Sequence, residues 1–555
     1  MLKRIISNKD LLLGTFLILS FIAVFANGAL NNIYYEVIHY DDGYNGSVSA
    51  TLMRTGNYEV VYPDHIPFYN KITTGVPVLL PVAYVYQWFG ISSFTTQIIP
   101  LIYSFVTIII FWILLSLCLK KKRNKPYALS ALATLLLLLA DKCYYIISIN
   151  LWGEIAALLF LLLSLICWFL NYKCQKPMWI ALAGAWLAWA FLTKSAMIFI
   201  MCSWMGIVIF ETYITHSLTK KETAHWILGF FGGFAILDGY KMIKVGGVIN
   251  YLKWWKAEWH NMLDQSSGFS QPLLSEKFNF LEETLNCNKY IALGLMIAAI
   301  FIYLICIVKL YKGKKVDSGF HTLCIGGITG DSLMIYFLLF GKSGLMFSKR
   351  LIMNQLALKL FFIFLLCYWA LYLWQLISTQ IKERKFKLLS WPASQVILFF
   401  LSIFVICPPE KIIKNYSTYT YKPTDYTYNQ KKMMKFLSEI ERLTSDGKLY
   451  TYGWYQEPNV TLFLNREMTD ITKVINGKEK LESNSYFIVG NMIHHVDRQE
   501  IENKLNIKLV KIDEVDLDYE QMHVSSMFGD FAGFDLLSIY QIIPNEIKEE
   551  CYLIR

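Results

Sequence analysis

Long apolar runs dominate this chain, and short polar stretches separate them. The first run extends from Leu11 to about Ala29, too long for a typical signal peptide, and ten more follow before Pro408. Runs of about 20 apolar residues can cross a bilayer as helices. The pattern therefore predicts a mainly α, polytopic membrane protein with about eleven transmembrane helices. The later spans are expected near 98–119, 127–146, 150–171, 178–194, 197–214, 226–243, 289–309, 321–341, 351–377 and 389–408.

Basic clusters between the spans predict which side each loop faces. With eleven spans, every major cluster falls on the same side, and by the positive-inside rule that side is cytoplasmic. We therefore expect a cytoplasmic N-terminus and an extracytoplasmic segment after Pro408. The clusters lie at 120–123, 173–176, 220–221, 309–315 and 382–387.

Two long loops, 30–97 and 244–288, are expected to face outward. The first contains an apolar piece at 76–90, whose length suits a helix at the membrane interface better than a span. The second carries Trp254, Trp255 and Trp259 in an amphipathic pattern. An aromatic anchor at the interface explains this pattern better than a substrate-binding role, which stays open.

The tail has a different pattern and predicts a separate domain. A helical pattern at 429–443 is followed by strand-like runs at 449–454, 485–489, 507–512 and 537–542. We expect a transmembrane domain over 1–409 and a small extracytoplasmic α/β domain over 410–555. This domain would either select an acceptor or cover a cavity.

Charge and cysteine usage exclude several classes of protein. The net charge is +10, but the segment from residue 410 has 18 basic and 23 acidic residues, a net −5, which leaves +15 for the rest. This asymmetry reflects membrane topology and argues against nucleic-acid binding. The 11 cysteines lie mostly within apolar runs and have no spacing typical of a zinc site or disulfide framework.

Two adjacent carboxylates, Asp41 and Asp42, are the leading candidates for chemistry. They follow the first span in a polar loop with aromatic neighbours. Asp-Asp-Gly is also an ordinary turn or helix-cap sequence, so a structural role is the alternative. Adjacent helical residues point about 100° apart, so one acid can act while the other braces the loop.

Further charged residues stand at the outer ends of spans. Glu154 opens the fourth span, where it either complements the helix N-terminus or lines a polar cavity. Lys194 lies between two apolar runs and must snorkel or pair with an anion. Lys71 lies in an outward loop, where it is either solvated or meets a lipid phosphate. Lys349 and Arg350 lie in another outward loop, where they bind either a phosphate head group or ordinary anionic lipid.

The order of these motifs resembles the GT-C membrane glycosyltransferases, and within them the family 39-like set of protein O-mannosyltransferases and lipid A aminoarabinose transferases. The resemblance covers roughly residues 1–200 well, and the span pattern thereafter. It rests on Asp41-Asp42, Gly56-Asn57-Tyr58, Tyr69-Asn70-Lys71, Phe89-Gly90, Gly153-Glu154 and Leu192-Thr193-Lys194.

The resemblance implies transfer of a sugar from a polyprenyl-phosphate donor to a hydroxyl of an extracytoplasmic glycan, lipid or protein. Asp41 would be the general base of an inverting displacement, and Asp42 would brace the loop. Glu154 would either orient the acceptor or support the base. The cations would bind the phosphate of the leaving group. They are Lys71, Lys194, Lys349 and Arg350.

The cofactor requirement and two rival classes stay open. Asn70 replaces an acid that is similar to a metal-ligand position in some relatives, and His65 lacks a recognised ligand spacing. A divalent cation is therefore neither required nor excluded. A lipid-linked sugar transporter is disfavoured because no internal repeat is evident. A non-catalytic glycan-assembly protein is the third hypothesis.

Overall fold

The computed structural model describes most of the chain in two compact units. The first comprises Met1–Leu30, Thr73–Val78 and Ile98–Tyr421, and the second Asn31–Ile72, Leu79–Gln97 and Lys422–Arg555. The described residues are 9–35, 40–60, 66–68, 72, 74–119, 126–267, 272–285, 288–341, 348–382, 397, 399–404, 408–410, 412–413, 416, 427–452, 458–464, 466, 468–490, 497–516 and 536–545.

Before the tail, the described residues include a 3-10 turn at Ser195–Met197, helical residues at 399–404 and fifteen α-helices with defined bounds. In chain order they are α1 (Lys9–Tyr35), α2 (Tyr40–Thr55), α3 (Val76–Phe89), α4 (Ser93–Cys118), α5 (Tyr127–Leu139), α6 (Lys142–Ile149), α7 (Glu154–Cys174), α8 (Pro177–Thr193), α9 (Ile198–Tyr213), α10 (Lys220–Lys244), α11 (Val248–Ser267), α12 (Leu274–Leu285), α13 (Lys289–Tyr311), α14 (Ser318–Phe340) and α15 (Ser348–Lys382). A short two-stranded ribbon pairs β1 (Glu59–Val60) with β2 (Ile66–Pro67).

Eight helices in the described residues are long and apolar enough to cross a membrane, or nine if α5 and α6 form one bent span. This confirms a mainly α, multi-pass membrane architecture. The predicted span at 178–194 corresponds to α8, whose 17 residues fall just below the 18 required of a candidate span. Most of 389–408 lies outside the described residues. The total of eleven stays a prediction.

The predicted span at 127–146 is broken, with α5 and α6 bent by 85°. The cause is Asp141, whose Oδ1 accepts a hydrogen bond of 3.0 Å from the Cys143 amide and so starts a new helix. Its Oδ2 lies 3.0 Å from the Lys359 ammonium and also accepts from Gln355. A buried charge needs such partners, and they hold α15 against the break.

The apolar piece at 76–90 forms α3, a helix of 14 residues. Its exposed side carries Leu80, Tyr84 and Trp88, which repeat every four residues and therefore share one face. A short helix with one exposed apolar face suits the predicted interfacial position.

The tail forms a mixed five-stranded sheet in the order β4-β3-β5-β7-β6. β3 is parallel to β4 and β5, whereas β7 is antiparallel to β5 and β6. The small α/β fold and all four predicted strands are confirmed. The elements are α16 (Thr427–Thr444), β3 (Lys448–Thr451), α17 (Pro458–Leu464), β4 (Thr469–Asp470), α18 (Ile471–Ile475), β5 (Ser485–Gly490), α19 (Arg498–Leu505), β6 (Ile507–Asp516) and β7 (Leu536–Pro544).

Side chains alternate between the two faces of this sheet. On one face Ile488 and Ile539 pack with Phe436 of α16. On the other face Phe487 packs with Ile501 of α19. Alternation of this kind is what a strand with both faces buried requires.

Candidate functional site

Asp41 and Asp42 lie in the first turn of α2, a helix where the sequence predicted a polar loop. The Asp42 side chain is completely buried, and the Gln97 amide donates a hydrogen bond of 3.3 Å to its Oδ2. Asp41 is only partly buried. Unpaired amides at a helix N-terminus favour carboxylates, so both acids stand in a favourable local field. The buried acid is held in place, and its neighbour is more accessible.

Contacts with α3 and the start of α4 fix the position of α2. The Ser49 hydroxyl donates to the Leu79 carbonyl at 3.0 Å, and the Tyr86 and Thr96 hydroxyls lie 2.7 Å apart. Burial raises the pKa of the Tyr86 phenol, and the nearby Asp42 charge raises it further. Tyr86 therefore stays protonated in the neighbourhood of the acid pair.

Glu154 and Lys194, predicted separately, form one buried ion pair. The Lys194 ammonium lies 3.0 Å from Glu154 Oε1 and donates a hydrogen bond of 2.8 Å to the Trp152 carbonyl. Glu154 is 1% exposed and begins α7, whereas Lys194 directly follows α8. Within the described residues, Glu154 Oε2 is buried and accepts no hydrogen bond. The pair neutralises both charges and leaves one acceptor oxygen unused.

A short backbone pairing brings the first loop to this ion pair. Thr74 forms an antiparallel bridge with Lys194. The Thr74 hydroxyl donates a hydrogen bond of 2.9 Å to the Trp152 carbonyl. The Gly75 amide donates one of 2.9 Å to the Thr193 carbonyl. A Cβ on Gly75 would lie 1.9 Å from the Leu192 carbonyl oxygen, so only glycine fits. The pairing fixes the chain three residues after Lys71.

Several predicted site residues lie outside the described side chains. Lys71 and His65 are outside the described residues altogether. Lys349 and Arg350 lie in the first turn of α15, but their side chains are outside the described part. Among the described residues no group of three or more His, Cys, Asp and Glu side chains could hold a metal ion.

A second charged cluster, which the sequence analysis missed, joins α10 to α11. The Asp238 carboxylate lies 3.0 Å from the Lys241 ammonium and accepts a hydrogen bond of 2.5 Å from the Tyr251 hydroxyl. Lys241 also lies 3.9 Å from the centre of the Trp254 ring. The sequence signal that could have revealed this cluster is an acid and a base three positions apart in an apolar segment, Asp238 and Lys241. On α11, Trp259 is 49% exposed.

The fold matches solved structures of membrane glycosyltransferases. ArnT from Cupriavidus metallidurans in the apo state superimposes with a TM-score of 0.57 at 10% identity, covering 95% of this chain and 97% of that one. The same protein bound to undecaprenyl phosphate superimposes with a TM-score of 0.55 at 11% identity, covering 95% of this chain and 97% of that one. The apo oligosaccharyltransferase from Archaeoglobus fulgidus superimposes with a TM-score of 0.55 at 11% identity, covering 93% of this chain and 71% of that one.

These matches show that the chain has the GT-C fold. At 10–11% identity the likeness extends to the fold alone. No model of a known protein family matches the sequence, and no curated protein matches it.

Removal of Lys194 should destabilise the protein strongly. Lys194→Met leaves the Glu154 carboxylate buried without its partner, which costs about 3–5 kcal/mol. Thermal unfolding in detergent should show a clear loss, and Glu154→Gln combined with Lys194→Met should recover part of it. Lys176→Met, the same change at an exposed site, is the control. Equal unfolding temperatures for Lys194→Met and this control would contradict the buried pair.

Glu258 should make stability depend on pH. Burial raises its pKa from 4.5 to about 7, although Lys241 opposes the shift. Between pH 4.5 and about 7, the Glu258 carboxyl therefore keeps its proton in the folded state and has lost it in the unfolded state. Stability should therefore fall as the pH rises from about 4.5 to 7, by on the order of 3 kcal/mol, and then level off.

The measurement is thermal unfolding between pH 4.5 and 8 for the wild type and Glu258→Gln. The amide resembles the protonated acid, so the variant should lose this part of the slope. The same change at exposed Glu441 should leave the slope intact. Identical slopes for the wild type and Glu258→Gln would show that Glu258 does not titrate in this range.

Proposed function

We propose that this protein transfers a sugar from a polyprenyl-phosphate donor to a hydroxyl of an extracytoplasmic glycan, lipid or protein. The main support for this proposal is the acid pair in the first turn of α2, which occurs on a GT-C fold. Asp42 is buried against Gln97, and Asp41 is more accessible. The ArnT structure with undecaprenyl phosphate supports a polyprenyl-phosphate partner within the membrane.

The proposed reaction is a single displacement. Asp41 accepts the proton of the acceptor hydroxyl, and the resulting oxygen attacks the anomeric carbon of the sugar. The bond from this carbon to the phosphate oxygen breaks, and polyprenyl phosphate leaves with the electron pair. Attack opposite the leaving group inverts the configuration. The transferred sugar is a hexose or a pentose.

The remaining residues would bind and orient the substrates. Lys71, Lys349 and Arg350 are assigned to the donor phosphate, because cations stabilise the charge that develops on the leaving group. Lys194 would bind the donor phosphate while it also stays paired with Glu154, since its ammonium lies 3.0 Å from Glu154 Oε1. Glu154 Oε2 is assigned to a substrate hydroxyl, because within the described residues it accepts no hydrogen bond.

The proposed topology puts the N-terminus in the cytoplasm and the α/β domain outside. Its support is the charge pattern, with the basic clusters at 173–176, 220–221 and 309–315 on the side assigned to the cytoplasm. A transporter for lipid-linked sugars and a non-catalytic glycan-assembly protein are the rival functions. Neither produces a new glycosidic bond, so one transfer assay separates them from the proposal.

The test uses purified protein in detergent with a synthetic polyprenyl-phosphate sugar and candidate acceptors. Asp41→Asn should lower kcat by about 10²–10⁴-fold, because an amide cannot take the proton. Its unfolding temperature should stay close to that of the wild type, since Asp41 is only partly buried.

Asp42→Ala is the contrasting variant. It leaves the Gln97 amide without its buried acceptor, which should cost about 1–3 kcal/mol of stability. Activity of Asp41→Asn within a few-fold of the wild type would refute its assignment as the base. Absence of transfer by the wild type with every donor, together with lipid-linked sugar movement in vesicles, would favour the transporter.

A further inference from the structure

Helix α2 is a weak helix by its own sequence. Its 16 residues include Gly43, Gly46 and Asn45 as well as several serines and threonines. Glycine costs about 1 kcal/mol relative to alanine inside a helix, and hydroxyl side chains bond back to the helix backbone. Such bonds are present, for example from the Ser47 hydroxyl to the Gly43 carbonyl at 2.7 Å. The helix must therefore draw its stability from neighbours.

One of these neighbours belongs to the C-terminal α/β domain. α17, which lies between β3 and β4, packs along α2. The closest approach is at Gly46, where a Cβ would lie 2.7 Å from Leu462 Cδ2 and 2.9 Å from the Tyr86 hydroxyl. Leu462 is 1% exposed. We call this contact the Gly46 notch, where Leu462 of α17 and Tyr86 of α3 both approach α2.

α17 is tied to the core of its own domain. Leu464 at its end belongs to the apolar cluster formed by the sheet and α16. The Arg466 guanidinium donates hydrogen bonds to the Thr444 carbonyl at 2.9 Å and the Gly447 carbonyl at 2.7 Å. The C-terminal end of α17 is thus anchored, and a shift of the sheet would be transmitted to Leu462.

We propose that the C-terminal domain positions the acid pair, with Leu462 in the Gly46 notch as the positioning residue. Gly46 lies four residues after Asp42, about one helical turn, so a helix held at the notch also holds its first turn. The effect on catalysis rests on the proposed function, whereas the docking of α17 on α2 does not. This role differs from acceptor selection and from simple covering of a cavity.

Three variants test the contact. Leu462→Ala empties the notch, and Gly46→Ala inserts a methyl group against Leu462 and Tyr86. The double variant removes the clash of that methyl with Leu462. Each single variant should weaken α2, and the double variant should recover at least half of the loss, because the two changes compensate only at a shared contact. Leu505→Ala is the matched control, since Leu505 packs on the opposite face of the sheet.

The first measurement is hydrogen–deuterium exchange of peptides covering residues 43–55. Leu462→Ala and Gly46→Ala should raise exchange there by about tenfold or more, and Leu505→Ala should leave it unchanged. Unchanged exchange in Leu462→Ala, or a double variant no better than the worse single variant, would overturn the docking. This readout needs no enzymatic activity, so it decides the docking even if no sugar transfer is found.

The second measurement is steady-state transfer. Positioning of the acid pair predicts that Leu462→Ala lowers kcat about tenfold or more while KM for the acceptor changes little, because misplacement by about 1 Å impairs the chemical step. Leu462→Met should restore most of the rate, since it refills the notch. A large rise in the acceptor KM with kcat intact would overturn positioning and assign the domain to acceptor selection.

Discussion

The Lys194 ammonium lies away from water between the Glu154 carboxylate at 3.0 Å and the Trp152 carbonyl at 2.8 Å. A buried charge of either sign is very costly alone, so neither residue can move without the other. The pair joins the start of α7 to the end of α8, and the bridge from Thr74 adds the segment that precedes α3. Three segments distant in sequence are thereby held at one point.

The same requirement shapes the rest of the first unit. Asp141 bends a predicted span, and Lys359 and Gln355 on α15 supply the partners that its carboxylate needs. Asp238 and Lys241 are neighbours on α10, where the aromatic residues of α11 enclose them. In each case a charge inside apolar surroundings determines which helix must lie beside it. Charge pairing adds specificity to packing that apolar contacts alone would leave loosely defined.

The sequence predicted what depends on local pattern. Apolar runs located the spans, and short strand-like runs located the strands around Phe487 and Ile539, because each element is encoded within a few neighbouring residues. Glu154 and Lys194 were also found, since each stands out within an apolar stretch. Their pairing was not predicted, because it depends on how α7 and α8 pack rather than on either local sequence.

The elements that were missed have weak or misleading local signals. Asp141 lies within an apolar run that reads as one continuous span, and only its partners on α15 explain the break. α2 reads as a polar loop because its glycines and hydroxyl residues disfavour a helix. Tertiary contacts override that preference, including the one between Gly46 and Leu462, which lie more than 400 positions apart.

The low intrinsic stability of α2 has a physical consequence for the acid pair it carries. A helix that formed readily by itself would keep its first turn whatever its neighbours did. α2 instead relies on Ser49 bonding to Leu79, on Gln97 bonding to Asp42 and on Leu462 filling the notch at Gly46. The geometry at Asp41 and Asp42 is therefore a property of the assembled second unit. Small residues such as Gly46 weaken the helix, but they also let these neighbours approach closely enough to define it.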